Sequence, residues 1–320
     1  MIDFTHIEEV SLRLKGIVNT TPFMTSRALN GMANAHVYLK CENLQRTGSF
    51  KFRGAYNAVS LLTSEERTNG VIAHSSGNHG QALALAARLF DARCVVVMPS
   101  NSSKVKIKAV KGYGAEIVMC GVDPKERAKT TKQLMAEKGY TLIHPYDNDN
   151  VIAGAGTAAY ELIKQVKTLD YIFCPIGGGG LISGTSIAVK SLLPKSKIIG
   201  VEPKNANDAY LSFTTGKLVE NVSSDTIADG LRTSLSQKTF DIIRQNVNEI
   251  LLVSEEEIIE AMRFLWERMK LVVEPSGAVS LAGLLKGEVD VNKGKVGVIL
   301  SGGNIDLENF FENYRSQIKN

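Results

Sequence analysis

The sequence predicts an α/β protein of two domains, each a mostly parallel sheet flanked by helices. Three observations lead there. From about Gly70, short β-branched strand patterns alternate with helical ones, the signature of parallel strands joined by crossover helices. The alternation runs in two series, one before and one after about Asn150. Loops rich in glycine and serine fall where strands end, the place where ligands collect on such sheets.

In chain order, Ile7 to Ile17 is a predicted helix, with Ile7, Val10, Leu14 and Ile17 on one face. Asn19-Thr20-Thr21-Pro22 ends it. Val37 to Glu42 reads as a strand, the turn Thr47 to Gly54 follows, and helical spacing resumes from Gly54 to Leu62. The first alternating series has strands at Val71–His74, Cys94–Pro99, Glu116–Cys120 and Thr141–Pro145. Between them lie helices at Gln81–Phe90, about Ser102–Tyr113 and about Pro124–Lys138. The second series has strands at Tyr171–Ile176, Lys197–Glu202, Glu249–Val253 and Lys295–Leu300. Its helices are Val151–Val166, Leu181–Leu193, about Ser254–Lys270 and Ser276–Leu285. The expected division is a discontinuous large domain, 1–69 and 150–320, with a small domain, 70–149, inserted into it.

Bulk properties narrow the class of function. The 320 residues are 44% hydrophobic and 22% charged, an ordinary globular composition. The net charge of +4 is dispersed, so nucleic acid is not an expected partner. The start, Met1 to Glu9, lacks the basic-then-apolar order of a signal peptide, and no apolar run approaches the roughly 20 residues of a membrane helix. A cytoplasmic protein is expected. Cys41, Cys94, Cys120 and Cys174 have no zinc-type spacing and read as reduced, mostly buried thiols.

Four loops carry candidate chemistry. Gly177-Gly178-Gly179-Gly180 lies between a strand and a helix, where converging backbone N–H groups and the helix N-terminus suit a phosphate. A merely tight turn needs only one or two glycines. A dinucleotide fingerprint fails on spacing, because counting from Gly177 or Gly178 puts Ile182 or Ser183 at its last glycine position. Even so, Glu202 ends the next strand about where a ribose-binding acid would sit, so a nicotinamide-dependent oxidoreductase stays as the distant alternative. Ser75-Ser76-Gly77-Asn78-His79-Gly80 offers hydroxyls, an amide and free N–H groups for a carboxylate, although either serine alone could be a plain helix cap. Ser301-Gly302-Gly303 closes a strand and leaves room for a close ligand. The fourth loop holds Lys51, which taken alone is an ordinary solvated lysine.

Together, Gly48-Ser49-Phe50-Lys51-Phe52-Arg53-Gly54, the Ser75–Gly80 turn, Gly177–Leu181 and Leu300–Asn304 resemble a known family. They are similar to the pyridoxal-phosphate enzymes of the tryptophan-synthase-β fold type, within them to the serine racemase and serine/threonine dehydratase family. The motifs keep the family's order over nearly the whole chain. The resemblance implies the two-domain pyridoxal-phosphate fold type II, with the small domain closing over substrate, and a homodimer. It implies that Lys51 holds the cofactor aldehyde as a Schiff base and then serves as the base at the α-carbon. Phe50 would pack on the cofactor ring, Asn78 bond its 3′-oxygen, and Gly177, Gly178, Gly179 and Gly180 hold its phosphate. Gly230 would line the ring and Ser301 meet the pyridine nitrogen, where a hydroxyl leaves that nitrogen largely neutral. Ser75, Ser76, Asn78 and His79 would bind the substrate carboxylate.

Ser76 carries the further implication of a second acid/base on the face opposite Lys51, which makes racemisation possible beside elimination. The implied activity is therefore serine racemase with L-serine and L-threonine ammonia-lyase (dehydratase) activity. Relatives acting on threo-3-hydroxyaspartate share the serine, so that substrate is the alternative. Glu202, Ala206 and Asp208 match the family's divalent-cation site for Mg²⁺, or else Ca²⁺ or Mn²⁺, with carboxylates from the first and last and a carbonyl from Ala206. Gln81 and Tyr113 match nucleotide contacts of an ATP-activated relative, whereas Arg27 and Arg46 do not. Ala155 stands where the family has glutamine, and Tyr146-Asp147-Asn148-Asp149 looks more like a dehydratase loop; either departure could alter the pocket.

Overall fold

The structure is a computed structural model and describes residues 2–75, 77–220 and 224–314. It opens with α1 (Phe4–Arg13), capped by the Asp3 carboxylate, which accepts from the His6 N–H. The helix ends earlier than its apolar spacing predicts, because Gly16 takes a left-handed φ of +77° and turns the chain. β1 (Phe23–Met24), α2 (Arg27–Ala33) and β2 (His36–Cys41) follow, then α3 (Lys51–Ser60) and α4 (Ser64–Asn69). Lys51 is thus the first residue of a helix and not part of a loop.

The first series is β3 (Val71–His74), α5 (Asn78–Leu89), β4 (Cys94–Pro99), α6 (Lys104–Gly112), β5 (Glu116–Cys120), α7 (Pro124–Lys138) and β6 (Thr141–Leu142). β6 is shorter than expected: the His144 ring turns the chain by accepting at Nδ1 from the Asp147 N–H, 2.9 Å away. The second series is α8 (Asp149–Val166), β7 (Tyr171–Pro175), α9 (Gly180–Leu192), β8 (Lys197–Pro203), α10 (Asp208–Thr215), α11 (Gln237–Asn246) and β9 (Glu249–Val253). It continues with α12 (Glu255–Met269), α13 (Pro275–Leu285), β10 (Lys295–Leu300) and α14 (Leu307–Tyr314).

The strands form two sheets, of order β1-β2-β10-β7-β8-β9 and β5-β4-β3-β6. Only the β1–β2 pair is antiparallel among the described pairs. All six residues of β4 are buried, as a Val-rich strand covered on both faces requires. The late strand β10 enters between β2 and β7, with Val298 opposite both Leu39 and Phe173. That insertion brings the end of β10, at Ser301, beside Ser49 and Phe50, whose N–H donates to the Ser301 carbonyl at 3.0 Å.

A buried ionic cluster anchors α3 from beneath. Arg53 grips Glu42 through two hydrogen bonds of 2.7 Å, from Nε and Nη2, with both side chains essentially without solvent exposure. Lys40 Nζ donates to Glu161 of α8 at 2.5 Å and to the Thr21 carbonyl at 2.7 Å. Breaking such a pair by removing one partner costs about 3–5 kcal/mol, because a charge is left buried and alone. The cluster joins the end of β2, α3 and α8, and so sets where Lys51 stands.

Candidate active site

The ends of β3, β7 and β10 and the start of α3 surround a cavity of about 640 Å³. Lys51, Phe50, Ser75, Asn78, His79, Gly177 to Gly180, Gly230 and Ser301 all line it. Residues separated by up to 251 positions are thereby brought to one centre. Ser76 lies outside the described residues.

Lys51 Nζ donates to the Pro145 carbonyl at 2.9 Å and lies 5.0 Å from the Phe50 ring centre. Burial alone lowers its pKa to about 8, because the ammonium loses hydration and no carboxylate compensates. A sizeable fraction of this amine is therefore nucleophilic near neutral pH.

The glycine loop opens α9, and the first turn of a helix leaves its N–H groups without internal partners. Gly179 has φ +82°, a conformation that side chains resist. A Cβ on Gly178 would strike the ring of Tyr146. The backbone must therefore stay bare here, and bare N–H groups at a helix N-terminus hold an anion.

Ser75 Oγ accepts from the Gly77 and Gly80 N–H groups, at 3.2 and 3.1 Å, and so caps α5. Its hydroxyl hydrogen stays available to a carboxylate. Asn78 is oriented from both ends: Nδ2 donates to Glu274 Oε1 at 2.5 Å and Oδ1 accepts from Asn304 Nδ2 at 2.9 Å. One Nδ2 hydrogen remains for a ligand. His79 Nε2 lies 2.8 Å from the Ile143 carbonyl, an acceptor, so this nitrogen carries the ring proton. Burial and then the charge of Lys51 push its pKa down to about 3, leaving Nδ1 an unprotonated acceptor without a partner among the described residues. The neutral ring offers no proton to a carboxylate, so the role expected of His79 would fall to its backbone N–H in the first turn of α5.

Ser301 is 5% exposed and its hydroxyl lies 3.4 Å from the Ser276 carbonyl, too long to hold the proton firmly. Ser276 Oγ accepts the Gly230 N–H at 2.9 Å and fixes the 3-10 turn Asp229–Leu231. Among the expected departures, Tyr146 lines the cavity, whereas Ala155 is buried in the core at 2% exposure and does not.

Glu274 was not foreseen. Burial raises its pKa to about 7, with Lys106 pulling it down and Asp229 pushing it up. Its place before Pro275 reads only as a helix start, so nothing in the local sequence marks it.

A buried lysine of lowered pKa, a bare glycine loop at a helix N-terminus and a buried serine hydroxyl in one cavity fit a phosphorylated aldehyde cofactor. The family model for pyridoxal-phosphate dependent enzymes matches residues 14–302. The chain belongs to that family. Within this pyridoxal-phosphate family it is 51% identical over 304 residues to the L-threo-3-hydroxyaspartate ammonia-lyase of Saccharomyces cerevisiae, covering 94% of this chain and 93% of the relative. It is 47% identical over 305 residues to the serine racemase of Dictyostelium discoideum, 94% of each being covered. The structure of maize serine racemase superposes with a TM-score of 0.94 at 37% identity, covering 99% of this chain and 98% of that one. The chain is thus a pyridoxal-phosphate-dependent enzyme whose relatives are racemases and ammonia-lyases. The glycine loop needs no dinucleotide to explain it.

A second polar centre lies at the end of β8. The buried Glu202 carboxylate accepts from the Ala209 and Tyr210 N–H groups at 3.0 and 2.8 Å. Its pKa is raised, first by burial and then by the charge of Asp208. Asp208 Oδ2 accepts from the Leu235 N–H at 3.2 Å, and Oδ1 has no partner among the described residues. Burial raises the Asp208 pKa to about 6. Among the described residues, no group of three or more His, Cys, Asp or Glu could hold a metal ion. Glu202 and Asp208 thus stand as a pair of buried carboxylates, without a third such side chain beside them among the described residues.

Proposed function

We propose that this enzyme eliminates water from L-serine and L-threonine, giving pyruvate or 2-oxobutanoate and ammonia, and racemises serine at the same centre. The observation that carries the reading is the Lys51 amine, held near neutrality and opening on a cavity walled by the glycine loop and the Ser75–Gly80 turn. Gly177 to Gly180 would hold the phosphate of pyridoxal phosphate, Phe50 and Gly230 would flank its ring, and Ser301 would meet its nitrogen. Bound there, the cofactor supplies an electron sink that acidifies the substrate α-proton. Lys51 takes that proton. The Ser75 hydroxyl donates to the carboxylate, the free Asn78 hydrogen reaches the cofactor's 3′-oxygen, and Ser76 returns a proton from the opposite face.

A second reading, threo-3-hydroxyaspartate as the preferred substrate, draws on the 51% identical relative and on Lys125 and Arg127 in the cavity wall, which could meet a second carboxylate. One experiment separates them: a panel of L-serine, L-threonine and L-threo-3-hydroxyaspartate, scored separately for oxoacid and D-isomer. A kcat/KM highest on serine, with D-serine formed, supports the first reading. A preference for hydroxyaspartate replaces it with the second.

The rest of the proposal is coarser in support. Mg²⁺, or Ca²⁺ or Mn²⁺, would sit at Glu202, Ala206 and Asp208, favoured by the partnerless Asp208 oxygen. The four-stranded sheet and its helices, residues 70–149, would close as a mobile small domain over the remainder. The family supports ATP activation through Gln81 and Tyr113 and a homodimer, and the lack of a signal-peptide or membrane-helix pattern supports a cytoplasmic location. No helix among the described residues is long and apolar enough to cross a membrane.

A further inference from the structure

Lys106, on α6, is a buried lysine that the chemistry above does not use. Its stem runs along the backbone of Gly77: a Cβ there would lie 3.0 Å from Lys106 Cδ, 3.3 Å from Cε and 3.2 Å from Nζ. Beyond Gly77 the ammonium pairs with the carboxylate of Asp229, 123 residues away in the turn that carries Gly230. The Lys106 side chain is 10% exposed and that of Asp229 34%, so the ammonium is shielded while the carboxylate keeps partial access to solvent. Glu274 adds a second negative charge facing Lys106, and Arg232 an opposing positive one. Lys106, Asp229 and Glu274 also line a second cavity of about 400 Å³, so the pair forms part of the wall between two spaces.

We infer that Lys106 and Asp229 are positioning residues for the reaction, an ionic tether clamping the Ser75–Gly80 turn to the Asp229–Leu231 turn. The inference rests on the proposed reading in which the first turn binds substrate carboxylate and the second lines the cofactor ring. The physical basis is direct. α6 belongs with the four-stranded sheet, whereas Gly230 is held by Ser276 of α13, which packs on the six-stranded sheet. The ion pair spans them, and Lys106 crosses Gly77 because glycine leaves room for its stem. With the ammonium buried, water competes less for it than for an exposed lysine, which favours a fixed geometry. Cofactor capture depends first on Lys51 and the glycine loop; neither pairs with Lys106 or Asp229, although Gly177 packs against the backbone of Gly230 and Leu231. Losing the tether therefore loosens the substrate turn more than the cofactor site, whose Lys51 and glycine loop keep their own contacts.

The test uses the holoenzyme and three variants, Lys106→Met, Asp229→Asn and both together, each measured for cofactor absorbance, melting temperature, KM and kcat. Each single variant is expected to raise KM for the best substrate by about tenfold or more, with the cofactor band kept and kcat changed less. The double variant is expected to be no worse than the more affected single one, since both remove the same contact. Unchanged KM, or effects that multiply in the double variant, overturns the tether. If Lys106→Met fails to fold, Asp229→Asn decides alone, because it keeps shape and removes only charge. If the wild-type protein itself takes up no cofactor, it is the proposed function that fails, a result separate from these.

Discussion

Lys51 Nζ donates to the carbonyl of Pro145 at 2.9 Å, and the next residue, Tyr146, lays its ring against Gly178 of the glycine loop. One short segment therefore touches both the Lys51 amine and the glycine loop. His144 holds that segment in shape by accepting from the Asp147 N–H, and its own ring packs edge-on against Tyr146 with centres 4.7 Å apart.

The first prediction concerns the amine. Lys51→Ala should abolish both elimination and racemisation and remove the visible absorbance of bound cofactor. In the wild-type apoenzyme, the rate of aldehyde capture should rise with pH and level off above about 8, since only the unprotonated amine attacks and burial has lowered its pKa to that value. A rate still climbing past pH 10 would mean an ordinary exposed lysine.

Gly178→Ala should weaken cofactor binding by at least tenfold, about 1.4 kcal/mol, because the added methyl group meets Tyr146. Tyr146→Phe should not relieve the defect, since the collision is with ring carbons. Combining Gly178→Ala with Tyr146→Ala should recover part of the affinity, measured by titration of the apoenzyme with pyridoxal phosphate.

For the second base, Ser76→Ala should lose D-serine formation and retain much of the L-serine elimination, followed by separate assays of D-serine and pyruvate. Equal loss of both would argue against two bases working from opposite faces.

Arg53→Met should lower stability by about 3–5 kcal/mol by stranding Glu42 in the interior. Arg53→Lys should recover only part, because an ammonium cannot reproduce the two-pronged grip of the guanidinium. Denaturant unfolding of the holoenzyme measures both.

Removal of divalent ions with a chelator should lower the melting temperature, and added Mg²⁺ should restore it. In Asp208→Ala the chelator should have no further effect. A wild-type protein indifferent to chelation would return Glu202 and Asp208 to a purely structural role.

Much of this was legible along the chain. Alternating apolar runs from Val71 to Leu300 reveal parallel strands because both faces of such strands are buried, and β-branched residues satisfy that locally. Four glycines between a strand and a helix, and Ser-Ser-Gly-Asn-His-Gly after another strand, announce ligand loops because bare N–H groups need no distant partner to be recognised. The motif around Lys51 placed the reactive lysine by its likeness to a family, although the turn proved to be the first residue of a helix.

The tertiary structure decided what depends on distance. Only folding shows that β10 slips between β2 and β7 and carries Ser301 to Phe50. Only folding sets the tautomer of His79, through a carbonyl 64 residues away, and so leaves its ring without a proton to offer the cavity. Glu274 beside Asn78, Lys106 across Gly77 and Tyr146 on Gly178 have no local signature, since each is defined by a partner far along the chain. Local sequence determines backbone conformation and which groups are present. Their pKa values, orientation and neighbours come from burial and charge, which exist only once the two sheets have formed around the cavity.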